Sequence, residues 1–157
     1  MSVSRKEKVN ERSAGFVDKD LQTDDHDAIM LWLNENIHSI FQEKGGYTVD
    51  EVTWEMPLTR GDRNYRTIVG YIDLYVRAYK KDEEGYDKSY CFAFEVKSSI
   101  SNVGEVIRQI RQYQVHSQHV KQFIIVCPDD KFADVIRSQG IGFLKSPQPK
   151  RNVWRLS

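Results

Sequence analysis

Apolar residues return every three or four positions from Ile29 through Met30, Leu33 and Ile37 to Ile40 or Phe41, and the pattern stops at Gly45-Gly46. That spacing predicts a helix. Thr23 or Asp24 can cap it, and Asp25 and Asp27 suit its positive N-terminal end. From Tyr47 to Leu58 the period changes to two. Val52, Trp54, Met56 and Leu58 fall on one side and Glu51, Thr53 and Glu55 on the other, which predicts a strand that breaks near Pro57 into a polar loop, Thr59 to Arg66. Two more β-rich runs follow, Ile68 to Tyr79 and Tyr90 to Lys97. The charged segment between them, Lys80 to Ser89, has Gly85 near its middle and reads as the turn of a hairpin.

Side chains alternate across a strand. Ile72, Leu74, Val76 and Ala78 are therefore expected on one face, with Tyr71, Asp73, Tyr75 and Arg77 on the other. In the next run Phe92, Phe94 and Val96 point one way, and Cys91, Ala93, Glu95 and Lys97 the other. A loop, Ser98 to Asn102, leads through a Ser101 or Asn102 cap into a helix reaching about His119. Val103, Val106, Ile107 and Ile110 form its buried stripe. Gln109 and Tyr113, four apart, stack on one flank of that stripe, while Arg108 and Arg111 lie on the other.

Phe123 to Cys127 is a short continuous apolar run ended by Pro128, as expected of a strand buried on both faces. A short helix from Lys131 to Gln139, closed by Gly140, precedes a strand at Ile141 to Leu144, and Asn152 to Leu156 can add an edge strand. Met1 to Asp20, rich in Lys, Glu, Ser and Asp, reads as a poorly ordered tail. The order of helix, three strands, helix, strand, helix and strand predicts a single α/β domain over residues 21–157, a mixed sheet with helices on both faces.

Composition narrows the function classes. The 157 residues are 39% hydrophobic and 29% charged, as in a globular domain, and the formal net charge is zero. Zero net charge argues against adhesion to nucleic acid by bulk charge, though local clusters can still build a basic surface. Cys91 and Cys127, each in an apolar run, read as free core thiols of a reducing compartment and lack the spacing of a zinc site. With no span-length apolar run and no signal-like segment, a cytoplasmic, membrane-independent protein is expected.

The chemistry concentrates between Asp73 and Tyr113. If the two β runs pair with their polar faces together, Asp73, Glu95 and Lys97 converge on a small volume. Carboxylate oxygens are hard ligands of the kind Mg²⁺ or Mn²⁺ takes together with substrate phosphate. An adjacent ammonium can orient or deprotonate water, or neutralise charge growing on a phosphate. Upstream, Arg60-Gly-Asp-Arg-Asn-Tyr-Arg66 offers three Arg and a Tyr that can grip phosphates and stack on bases, or simply form a solvated loop.

Asp73, then after a hairpin Glu95-Val-Lys97, then a helix bearing Gln109-x-x-x-Tyr113, resembles the PD-(D/E)XK nuclease superfamily, particularly its RecB-like and Holliday-junction-resolvase-like branch. The resemblance runs from the first helix to the last strand. It departs at Ile72, where the family's name expects Pro. It implies a restriction-endonuclease-like core and metal-dependent phosphodiester hydrolysis in nucleic acid, with DNA as the expected substrate. Asp73 and Glu95, with the backbone carbonyl of Val96, would then hold Mg²⁺, for which Mn²⁺ can substitute. Lys97 would assist the attacking water, and Gln109 and Tyr113 would support the site or touch nucleic acid.

Accessory candidates are Asp27 and Glu35 on the first helix, with His26 as a third, and Glu55 on the first strand. The plainer alternative is that the Asp residues only cap the helix and Glu35 is solvated. Arg60, Arg63, Arg66, Arg108 and Arg111 are candidate nucleic-acid contacts. A small domain of this kind leaves specificity to a homodimer or to help from another protein. Two other readings share these residues: a binding module of the same fold that has lost catalysis, and a structural domain in which the acids and lysine fell together by chance.

Overall fold

A computed structural model describes residues 24–149. The elements are α1 (Asp24–Gly45), β1 (Thr48–Asp62), β2 (Tyr65–Lys81), β3 (Asp87–Val96), α2 (Val103–Val115), β4 (Val120–Cys127), α3 (Ala133–Ser138) and β5 (Gly142–Lys145). The strands form one five-stranded sheet in the order β1-β2-β3-β4-β5. β1, β2 and β3 pair antiparallel, while β3, β4 and β5 pair parallel through the crossovers carrying α2 and α3. This mixed sheet with helices on both faces is the α/β architecture expected from the order of elements. The tail at residues 1–20 and the edge strand at 152–156 lie outside the described residues.

Two cores follow from strand alternation. α1 buries Ile29, Met30, Leu33, Ile37 and Phe41 against Leu74, Val76, Ala78, Phe92, Phe94 and Val96 on one face of the sheet. At about 1.5–3 kcal/mol for each fully buried large apolar side chain, this stripe anchors the helix. A hydrogen bond of 3.0 Å from Trp54 Nε1 to Asn34 Oδ1 ties the same helix to β1. On the opposite face Tyr75, Ala93, Phe123 and Ile125 pack with Val106, Ile110 and Tyr113 of α2 and with Ala133 and Ile136 around α3.

β1 and β2 depart from the expected pattern. The break at Pro57 does not occur: β1 runs through it, pairing Pro57 with Tyr71, and the chain turns only at Arg63 and Asn64. Proline is tolerated because β1 is the edge of the sheet, where a missing N–H interrupts no second ladder. The faces also split. Ile72, expected beside Leu74, packs in the α2 core with Leu58 and Met56, whereas Leu74 and Trp54 pack toward α1. The ribbon therefore turns over between the pairs Trp54↔Leu74 and Met56↔Ile72. At that point Glu55 adopts φ 50°, the left-handed region that costs a non-glycine residue on the order of 1–3 kcal/mol. Register shifts at Val49/Glu51 and Leu58/Thr59 add to the twist.

The expected helix over Asn102 to His119 ends at Val115. Asn102 is its N-cap, accepting the Glu105 N–H at 3.2 Å. A turn then brings the chain into β4 three residues before the apolar run from Phe123 begins.

Candidate functional site

Beyond Leu74↔Phe94, their last pair, β2 and β3 part. Counting one step on sets Asp73 opposite Glu95. Amides along β3 face its two neighbours alternately. The Lys97 N–H reaches the Val126 carbonyl of β4 at 2.8 Å, so the Val96 N–H faces β2. There it donates not to a β2 carbonyl but to Asp73 Oδ2, at 2.9 Å. The carboxylate of Asp73 thus closes the end of the ladder and is held by the backbone of the residue between Glu95 and Lys97.

Asp73 is 0% exposed, Glu95 2% and Lys97 8%. Burying two acids and an amine is costly unless they are partnered or bind an ion, which makes these three the candidate site. Glu95 and Lys97 alternate with Phe94 and Val96, which face α1, and so both lie on the α2 side of the sheet. Asp73 sits between Leu74 and Ile72, which pack on opposite faces, at the edge where the two strands part.

α2 supplies the wall. Gln109 and Tyr113 are buried, and Gln109 Nε2 donates to the Tyr113 hydroxyl at 3.1 Å. The Tyr113 ring lies over Gly70 of β2, where an added β-carbon would stand 2.6 Å from Cε1. Gly70→Ala is therefore expected to displace the ring and cost about 1–3 kcal/mol, read as a lowered denaturant midpoint. An unchanged midpoint would show that this contact does not set the position of α2.

α1 also reaches the site, through a residue that the sequence named only third among its accessory candidates. His26, 1% exposed in the first turn, brings Nε2 to 3.4 Å from Asp73 Oδ2. Asp27 sits beside it, with Oδ1 3.7 Å from His26 Nδ1, and is half-exposed. Glu35 is exposed, nine residues and roughly 13 Å further along the helix. A polar residue on an otherwise apolar helix face was the available signal for His26.

Glu55 is half-buried and sits opposite Asp73 in the β1–β2 register, between the two pairs where the ribbon turns over. Among the described residues no group of three or more His, Cys, Asp or Glu side chains is assembled as a metal cluster. The expected donors, Asp73, Glu95 and the Val96 carbonyl, would offer two carboxylates and a peptide oxygen. Hard oxygen donors of this number fit Mg²⁺ or Mn²⁺, which retain water and take further ligands from phosphate.

The five arginines separate. Arg60, Arg63 and Arg66 are exposed at the tip of the β1–β2 ribbon, and Arg108 is exposed on α2. Arg111 is engaged elsewhere, donating to the Gln139 carbonyl at 2.6 Å and to Gln114 Oε1 at 3.0 Å. Cys91 and Cys127 are both free thiols. Tyr75 donates to Cys91 Sγ at 2.7 Å, and burial, with that bond next, pushes its phenol well above the ordinary range. A cavity of about 400 Å³ lies across the sheet from Glu95, between the end of α1 and β4–β5, lined by Phe41, Phe92, Phe94 and Ile124. No helix of the described residues is long and apolar enough to cross a membrane.

No family model and no curated protein matches this chain. A solved structure, EndoMS in apo form, is similar at 16% identity and a TM-score of 0.38 over 74% of this chain. The aligned part covers 47% of the EndoMS chain, so this chain spans about half that protein's length.

Proposed function

We propose that this protein is a divalent-cation-dependent nuclease that hydrolyses phosphodiester bonds in nucleic acid, with DNA as the expected substrate. The observation that supports this most is the burial of Asp73 and Glu95 on neighbouring strands, at the point where those strands part, with Lys97 buried two residues after Glu95. Asp73, Glu95 and the Val96 carbonyl would hold Mg²⁺, or Mn²⁺ in its place. When bound, such an ion supplies Lewis-acid polarisation of the phosphoryl group and a lowered pKa for water.

The chain's own residues do the rest. The Val96 N–H and His26 fix the rotamer of Asp73 from two elements. Lys97 directs its ammonium at the attacking water, or offsets the negative charge that grows on the phosphate oxygens. Gln109 and Tyr113, bonded to each other, keep α2 seated against the strands, with the Tyr113 ring over Gly70.

The test is a cleavage assay over single-stranded, duplex and branched DNA and RNA, each with Mg²⁺, Mn²⁺ and EDTA. Cutting that requires the cation and stops with EDTA is expected. Calorimetry with Mn²⁺ should in parallel show binding that Glu95→Gln removes. A protein that cuts none of these forms, or whose Mn²⁺ binding ignores Glu95→Gln, would not be the enzyme proposed.

A further inference from the structure

β2 is far longer than its β3 partner needs: pairing with β3 covers only Leu74 to Lys81, yet β2 begins at Tyr65. The segment from about Glu55 to Asp73 is thus a two-stranded ribbon projecting past the end of β3, with Asp73 at its root. Its base is held by Leu58 and Ile72 in the α2 core and by Gly70 under the Tyr113 ring. Every residue from Arg60 to Ile68 is exposed, Tyr65 at 81%.

The tip has a preset shape. Asp62 Oδ1 accepts the N–H groups of Asn64 and Tyr65 at 2.9 and 3.0 Å, so the acid there is committed to the turn. Gly61, at φ 114°, lies so close to the Tyr65 carbonyl that a side chain would collide with it. Three guanidinium groups surround this turn. The ladder also distributes them: Arg60 pairs with Thr67, Gly61 with Arg66 and Asp62 with Tyr65. By alternation Arg60 and Tyr65 share one face of the ribbon and Arg66 projects from the other.

We infer that this ribbon is a second nucleic-acid-binding element, which enters the major groove of duplex DNA and grips phosphates at a fixed distance from the scissile bond. A ribbon with cations on both faces suits a groove walled by phosphates on each side, whereas a flat surface or a lone strand would be met by one face. The major groove of B-form DNA admits a two-stranded ribbon, and the major groove of A-form RNA is too deep and narrow for one. Single-strand binding uses successive aromatic platforms along a groove. Between the tip and Asp73 the only other aromatic is Tyr71, which is buried. Eight residues separate Tyr65 from Asp73, a reach of roughly 25 Å at strand rise, or about seven base-pair steps. The inference rests on the proposed function only for where the cut lies.

The test compares the full-length protein with the triple variant Arg60→Gln, Arg63→Gln, Arg66→Gln. Binding is read by anisotropy on a labelled DNA duplex of about 24 base pairs, its single strand, and an RNA duplex of the same sequence, in EDTA and over a salt series. The duplex DNA affinity of the variant is expected to fall at least ~30-fold, with the slope of log K against log salt reduced by about 2–3, and single-strand affinity to change less than ~3-fold. Melting temperatures verify that the variant folds, since every substituted side chain is exposed. Duplex affinity within ~3-fold of the parent, an equal loss on the single strand, or tighter binding of the RNA duplex each overturns the inference. Ribbon-dependent duplex binding by a protein that never cleaves would sink the nuclease reading and keep the ribbon. Cation-dependent duplex cleavage at parental rate and affinity by the triple variant would do the reverse.

Discussion

Replacing Lys97 with Ala should lower cation-dependent cleavage by about 10²–10⁴-fold, the range associated with loss of a positioned proton-transfer group, while the protein remains folded. The backbone at this position is held independently, because the Lys97 N–H bonds to the Val126 carbonyl of β4 whatever side chain is present. Only the ammonium beside Glu95 is lost. Lys97→Arg is not expected to rescue, since a guanidinium keeps its charge but cannot yield a proton near neutral pH and places its donors in a wider fork. Asp73→Ala should be equally inactive for a different reason, losing affinity for Mn²⁺ as well as rate. The measurement is turnover on a defined substrate beside Mn²⁺ calorimetry and a melting curve. A Lys97→Ala protein that cuts as fast as its parent would remove Lys97 from the chemistry. One that loses Mn²⁺ affinity instead would move its role from the water to the cation.

Tyr113→Ala should cost about 3–5 kcal/mol of stability, the largest loss expected from any change at the wall of the site. The ring is 2% exposed and fills the space over Gly70 that no β-carbon occupies, so its removal leaves a cavity between α2 and the root of the ribbon. Tyr113→Phe keeps the ring and gives up the hydroxyl that Gln109 Nε2 bonds to, for about 1 kcal/mol. Denaturant titrations of the two variants separate packing from hydrogen bonding. If Ala costs no more than Phe, α2 is not seated by this ring. If Phe cleaves as well as the parent, the Gln109–Tyr113 bond contributes to stability alone.

These expectations rest on features that differed in how far the linear sequence revealed them. The period of apolar residues was sufficient to place α1 and α2 and the two strands that carry Asp73 and Glu95, because helical and strand spacing are local properties, while the cap of α2 was narrowed to Ser101 or Asn102. The polar face shared by Glu95 and Lys97 follows from the same alternation. Pro57 misled, since proline opposes a strand only where its missing N–H would have faced a partner strand, and edge position is a tertiary fact. Ile72 misled for a related reason: alternation puts it beside Leu74, but the ribbon turns over at Glu55 and carries it into the other core.

By itself, then, the sequence determined the α/β order, the alternation of sides along the regular strand stretches, and the residue types available for chemistry. Only the tertiary structure decided that the Val96 amide is captured by Asp73, that His26 arrives from α1 at 3.4 Å, and that the β1–β2 ribbon stands clear of the sheet with its arginines on two faces. Those depend on strand register and on helices docking across tens of residues of chain, and contacts between distant segments leave no period in the residues that make them.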